Sequence, residues 1–156
     1  MATFTSAQVS SGRAHKPLVG DPGVVTAYGL IDIEANPADG DIYELVKLPA
    51  GATVVGGYLQ AVDLDTGTEA LDMDIGWAAN GTEAADPDGF GNLGVLTGDA
   101  ITGIKPEVGL YYPLGGVLFS AGPQTFTEET VIQVEANTAA NAGGTGKMWI
   151  VIHYAV

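Results

Sequence analysis

Apolar and polar positions alternate with period two along much of the chain, the signature of strands that bury one face. The pattern is cleanest in Leu71-Asp72-Met73-Asp74-Ile75-Gly76-Trp77, where odd positions are apolar and even ones acidic or glycine. Further strand-like runs cover 24–33, 41–48, 130–136 and 147–156, and the last is apolar on both faces. A strand of that kind belongs in a sheet centre or against another molecule. A longer run, 52–65, carries Gly56 and Gly57, which predict a bend or bulge. Turn residues separate the runs, and Thr66-Gly67-Thr68 predicts a hairpin between 62–65 and 71–77.

Residues 78–129 are less regular. The pieces 93–96 and 116–119 read as short strands within a long irregular excursion, and Asp86-Pro87-Asp88-Gly89 reads as a turn. Thr125-x-x-Glu128 matches a capping box, but the β-branched run Thr130-Val131-Ile132 favours strand over helix. The expected fold is all-β: a single β-sandwich over 24–156, preceded by an extended N-terminal arm over 1–23.

Composition sharpens this picture. The 156 residues suit one domain, and the absence of cysteine removes disulfides, thiolate nucleophiles and Cys-based zinc sites. The net charge of −14 argues against nucleic acid or an anionic membrane as partner. Only 15% of residues are charged, well below about 25% in ordinary domains, so much of the surface is suited to burial against other chains. No basic and apolar leader marks the start, and no apolar stretch approaches the roughly 18 residues of a membrane helix. The expectation is a soluble chain that is not exported through a signal peptide.

Charge is unevenly placed. Residues 1–20 hold Arg13 and Lys16, with His15 between them, and no acid; the remainder carries all 19 acids against three lysines. Two readings stand side by side: a frayed terminus, or a basic arm lying on an acidic neighbouring subunit.

Candidate chemistry is sparse. Hairpin parity would set Asp63, Asp65, Asp72 and Asp74 on one face, where like charges repel. A solvated acidic face is the favoured reading, and a calcium site ranks below it because the spacing of an EF-hand loop is missing. An open polar face gives no carboxyl the raised pKa that glycoside hydrolysis needs. His153 is read as a strand residue, and Gly143-Gly144-Thr145-Gly146-Lys147 fails the phosphate-loop spacing. No enzyme and no cofactor are expected. Trp77, Trp149, Tyr111 and Tyr112 together suggest a sugar-stacking platform, although Trp77 continues an apolar strand face and reads as core. Tyr111 and Tyr112 read as interface anchors.

One order of motifs carries a resemblance. Leu45-Val46-Lys47-Leu48-Pro49-Ala50-Gly51-Ala52 is followed by Leu64-Asp65-Thr66-Gly67, then by the alternating strand ending Gly76-Trp77, then by Asp86-Pro87-Asp88-Gly89-Phe90 and the closing apolar strand. In this order the chain resembles small virion proteins of tailed bacteriophages, of the head-decoration or cement type. The resemblance implies a β-sandwich, often jelly-roll-like, that self-associates as a trimer or dimer. It implies binding to the major capsid protein on the capsid exterior, after synthesis in the host cytoplasm, with no catalytic residues. The second reading is a carbohydrate- or host-surface-binding module of a head fibre or tail. A calcium-stabilised β-domain is the third.

Overall fold

A computed structural model describes residues 1–12, 23–68, 70–95 and 110–156. Its elements are β1 (Thr3–Thr5), α1 (Ala7–Ser10), β2 (Val25–Ile33), β3 (Ile42–Leu48), β4 (Thr53–Ala61), β5 (Asp72–Trp77), β6 (Asp86–Val95), β7 (Leu110–Pro113), α2 (Val117–Ser120), β8 (Gln124–Thr125), β9 (Thr130–Thr138) and β10 (Gly146–Ala155). The strands form two five-stranded sheets, a first in the order β1-β3-β9-β5-β6 and a second in the order β2-β10-β4-β7, with β8 also beside β4.

The antiparallel pairs β2/β10, β3/β9, β4/β7 and β5/β6 are nested in sequence, the outermost joining the first and last long strands. The two sheets share them alternately, so the chain is one folded ribbon wound into two layers. That is jelly-roll topology, and the expected β-sandwich is present. The apolar set of each strand faces the space between the layers. Met148, Ile150, Ile152 and Tyr154 of β10 and Ile132, Val134 and Ala136 of β9 are fully buried. Each such Val, Leu, Ile or Phe stabilises the fold by about 1.5–3 kcal/mol. Trp77 is core, as its strand pattern predicts, with edge-on ring contacts to Phe90 and Phe126 at centroid distances of 5.0 and 5.2 Å. A Cβ at Gly29 would lie 2.0 Å from the Leu45 carbonyl oxygen, so β2 presses on β3 where only glycine fits.

Several sequence expectations need correction. The hairpin expected between 62–65 and 71–77 is not formed: β4 and β5 lie in different sheets, so the chain crosses from one to the other after β4. Leu64 and Leu71 are both buried there, so the alternation reports a crossing through the core and not a paired ladder. Asp86-Pro87-Asp88-Gly89 is not a turn but the start of edge strand β6, where proline costs no ladder bond. The piece 116–119 is no strand: Gly116, at φ 56°, leads into the single helical turn α2. The bulge expected near Gly56 and Gly57 is present, as a register shift opposite His153 and Tyr154.

The first residues of the chain are held by its own sheet. β1 pairs in parallel with β3, Phe4 stacks on Tyr43 at 5.1 Å, and the buried Ser6 hydroxyl donates to the Leu45 carbonyl. The Ala2 N–H donates to Asp41. Residues 1–10 are therefore an edge of the sandwich. Arg13, His15 and Lys16 lie outside the described residues.

Candidate interaction faces

The register of the second sheet builds its outer face residue by residue. Leu30, Trp149, Gln60 and Tyr111 form one row across β2, β10, β4 and β7. Tyr28, Val151, Tyr58 and Pro113 form the next. Tyr28 is 51% exposed, and Trp149, Val151, Tyr58 and Tyr111 are half-buried by one another. The Tyr58 and Tyr111 rings lie 5.2 Å apart, and Trp149 Nε1 donates to Gln60 Oε1 at 3.0 Å. Lys147 pairs with Asp32 at one end, and Thr26 Oγ1 meets His153 Nδ1 at the other. Trp149 and Gln60 engage each other's polar atoms, and the rings of Tyr28, Tyr58 and Tyr111 are part of the surface the strip presents to solvent. Contiguous apolar surface rimmed by polar residues marks an interaction site. At its β2 margin the strip runs into an open groove of about 440 Å³ lined by Thr5, Ser6, Ala7, Tyr28, Leu30 and Asp32.

Strand parity separates the proposed tyrosine anchors. Tyr111 joins the strip, whereas Tyr112 pairs with buried Leu59 and turns inward, packed against the core. Burial, and then the charge of Asp74, push the Tyr112 phenol pKa up. No platform of four aromatics exists: Trp77 is core, Tyr112 faces inward, and only Trp149 and Tyr111 share the outer face. Tyr28 and Tyr58 complete the strip and escaped the sequence reading; each stands beside a glycine in a strand whose other face is apolar.

The first sheet presents the opposite chemistry. Across its outer face Glu135, Asp74 and Asn92 lie in one row, with Asp72 two residues along β5. The four aspartates read from sequence as one solvated face divide into two pairs. Asp63 is exposed, while Asp65 is 3% exposed and anchors the sheet-to-sheet crossing. Burial pushes Asp65 up, but N–H groups of Ala70, Ala142, Asn141 and Leu71 outweigh it and hold the pKa at about 2. Asp74 is 6% exposed, so it too is not solvated. Burial raises its pKa, the amide of Asn137 at 2.6 Å opposes this, the charges of Asp72 and Asp88 add to the rise, and the Leu93 N–H offsets part of it. Among the described residues, no three or more His, Cys, Asp or Glu side chains are placed to hold a metal ion.

Comparison with solved structures finds this architecture elsewhere. A chain from the capsid of Ralstonia phage GP4 is 23% identical and superposes with a TM-score of 0.72, covering 99% of this chain and 97% of that one. This is a fold found in phage capsids. A chain of the cyanophage Pam1 capsid asymmetric unit is 22% identical with a TM-score of 0.66, covering 94% of this chain and 95% of that one. A chain of the acid-stable capsid of Helicobacter pylori bacteriophage KHP30 is 21% identical with a TM-score of 0.54, covering 86% and 88%. No family model matches the sequence, and no curated protein matches it. The shared property is the fold, along nearly the whole chain.

Proposed function

We propose that the chain is a bacteriophage capsid decoration protein, which binds the outer capsid surface and neighbouring copies of itself and stabilises the head. The observation that carries the reading is the partly exposed aromatic strip Tyr28–Trp149–Tyr58–Tyr111 on a jelly roll whose fold recurs in phage capsids. Tyrosine and tryptophan on rigid strands make interface anchors, because they bury large area at little cost in side-chain entropy. Many such contacts with the major capsid protein, repeated around the shell, sum through multivalency. The segment with Arg13, His15 and Lys16 contributes a basic contact to an acidic neighbour, so that complementary potentials set the register. The homo-oligomer is a trimer or dimer. The net charge of −14 keeps free subunits soluble before assembly on the virion exterior. The role needs neither catalysis nor a cofactor.

The test is occupancy. Tyr28→Glu with Tyr111→Glu alters only outer-face residues, so the melt should stay near that of the wild type. Copies per purified particle, counted by quantitative mass spectrometry, should fall at least tenfold. Wild-type occupancy for the folded variant would overturn the assignment of this face.

The same strip gives the second reading some footing, since the Tyr58–Tyr111 pair and Trp149 offer ring faces on which sugars stack. A glycan array comparing wild type with Tyr111→Ala separates the two. Glycan binding that this change abolishes would favour a host-surface module of a head fibre or tail.

A further inference from the structure

The outer face of β5 holds two buried carboxylate oxygens that take no hydrogen bond among the described residues. Asp72 and Asp74 stand two residues apart on that face, and Oδ1 of each is buried without a hydrogen-bond partner. Asp74 as a whole is 6% exposed, its other oxygen, Oδ2, takes the Asn137 amide, and the Leu93 N–H is near enough to the carboxylate to lower its pKa without closing a hydrogen bond to Oδ1. Native proteins rarely leave a buried acceptor unpaired, and least of all a charged one. The ladder is irregular on both sides of this spot. The register with β9 shifts between Asp72 and Met73, leaving Asn137 as the extra residue, and that with β6 shifts between Asp72 and Asp74. Such bulges re-aim side chains.

The surrounding charge has one sign. Glu135 on β9 stands directly across from Asp74, Asp88 on β6 and Asp72 add negative charge to it, and Tyr112 on β7 is the further titratable group whose pKa responds to Asp74. A hard cation held between Asp72 and Asp74 would satisfy both orphan oxygens at once.

We propose that Asp72 and Asp74 bind a calcium ion through their unpartnered Oδ1 atoms, with the Asn137 side-chain carbonyl and water completing the oxygen shell. Calcium tolerates irregular shells of 6–8 oxygens, whereas magnesium demands near-octahedral geometry that two strand aspartates do not impose. The site would brace β5 and β9 in the first sheet, and it stands independently of what the second sheet docks upon.

The experiment uses the full chain at neutral pH, melted in chelator and again in millimolar calcium. Calcium should raise the wild-type melting temperature by roughly 5 °C or more, as expected for a ligand well above its dissociation constant. In Asp74→Asn and in the less buried Asp72→Asn the rise should disappear, while Asp39→Asn, an exposed acid elsewhere, should keep it. Terbium luminescence titrated on the same proteins reads binding directly and serves even if a variant melts low. A wild type that does not respond to calcium, or a response that both variants retain, would overturn the proposal. No calcium response, together with a wild-type melt that rises on acidification and no longer does so in Asp74→Asn, would show that a proton occupies the site instead.

Discussion

The two outer faces of the sandwich are built on the same strand alternation and come out opposite. On the first sheet, residues pointing away from the core include carboxylates and amides, of which Asp74 and Gln133 are buried and Asp72 is half-buried with one oxygen out of reach of solvent. On the second they are rings and branched carbons, Tyr28, Trp149, Tyr58, Tyr111 and Val151, several of them half in solvent. One face thus buries charge while the other leaves apolar surface in water. Each arrangement is costly for an isolated subunit, and the proposed remedies differ: a cation for the first, a partner surface for the second. The lesson is that period-two alternation identifies which residues leave the core, but not what they meet when they do.

Substitutions should therefore separate stability from docking. The largest effect is expected where the chain passes from the second sheet to the first. Asp65→Ala strands four N–H donors at the crossing and should cost about 3 kcal/mol, a fall of roughly 6–12 °C in Tm. A loss under 1 kcal/mol by denaturant titration would remove Asp65 as the anchor of both faces. Phe4→Ala comes next, at about 2 kcal/mol for a partly buried ring stacked on Tyr43. It follows that deleting residues 1–20 damages the fold, so Arg13→Glu with Lys16→Glu is the proper probe of the basic segment, read as lost capsid occupancy in a pelleting assay.

The two buried aspartates should respond to pH with opposite signs. Asp65 has a folded pKa of about 2, below its unfolded value, so its stabilisation is present above the unfolded pKa and is lost as pH falls toward about 2. The Asp74 pKa is raised, so without calcium its ionisation destabilises the fold as pH rises from the unfolded toward the folded pKa. Asp74→Asn, melted at neutral pH in chelator, should gain a few degrees and flatten that limb of the pH profile. A loss instead would show that the carboxylate is satisfied as it stands. The smallest stability change is expected on the aromatic face, where Tyr28→Ser should shift stability by no more than about 0.5 kcal/mol. A larger loss would mean that the strip serves the subunit's own fold more than a partner.

Much of the architecture was legible. The long runs that became β2, β3, β5, β9 and β10 announce themselves because one face of each is continuously apolar. The bulge in β4 shows through Gly56 and Gly57. The partition into two sheets was not legible, because Leu64 and Leu71 sit in a crossing that has the same polarity pattern as a hairpin. β1 is three residues long and owes its place to Phe4 meeting Tyr43, a contact no local pattern contains. Pro87 hid β6, since proline argues against a strand except at an edge, and edge status is a tertiary fact. Of the candidate site residues, Tyr111 reached the outer face, and its neighbour Tyr112 went inward by the same parity that the alternating strands obey. Asp72 and Asp74 stayed together, but with Asp74 in a buried setting that only the packing of β6 and β9 around β5 creates.

Hydroxyl-radical footprinting of the chain, free and on purified particles, tests the docking face most directly. Oxidation of Tyr28, Tyr58, Tyr111 and Trp149 should drop several-fold on the particle, with the outer side chains of the first sheet labelled as before. Equal labelling of those four rings in both states, or protection confined to the acidic face, would contradict the account.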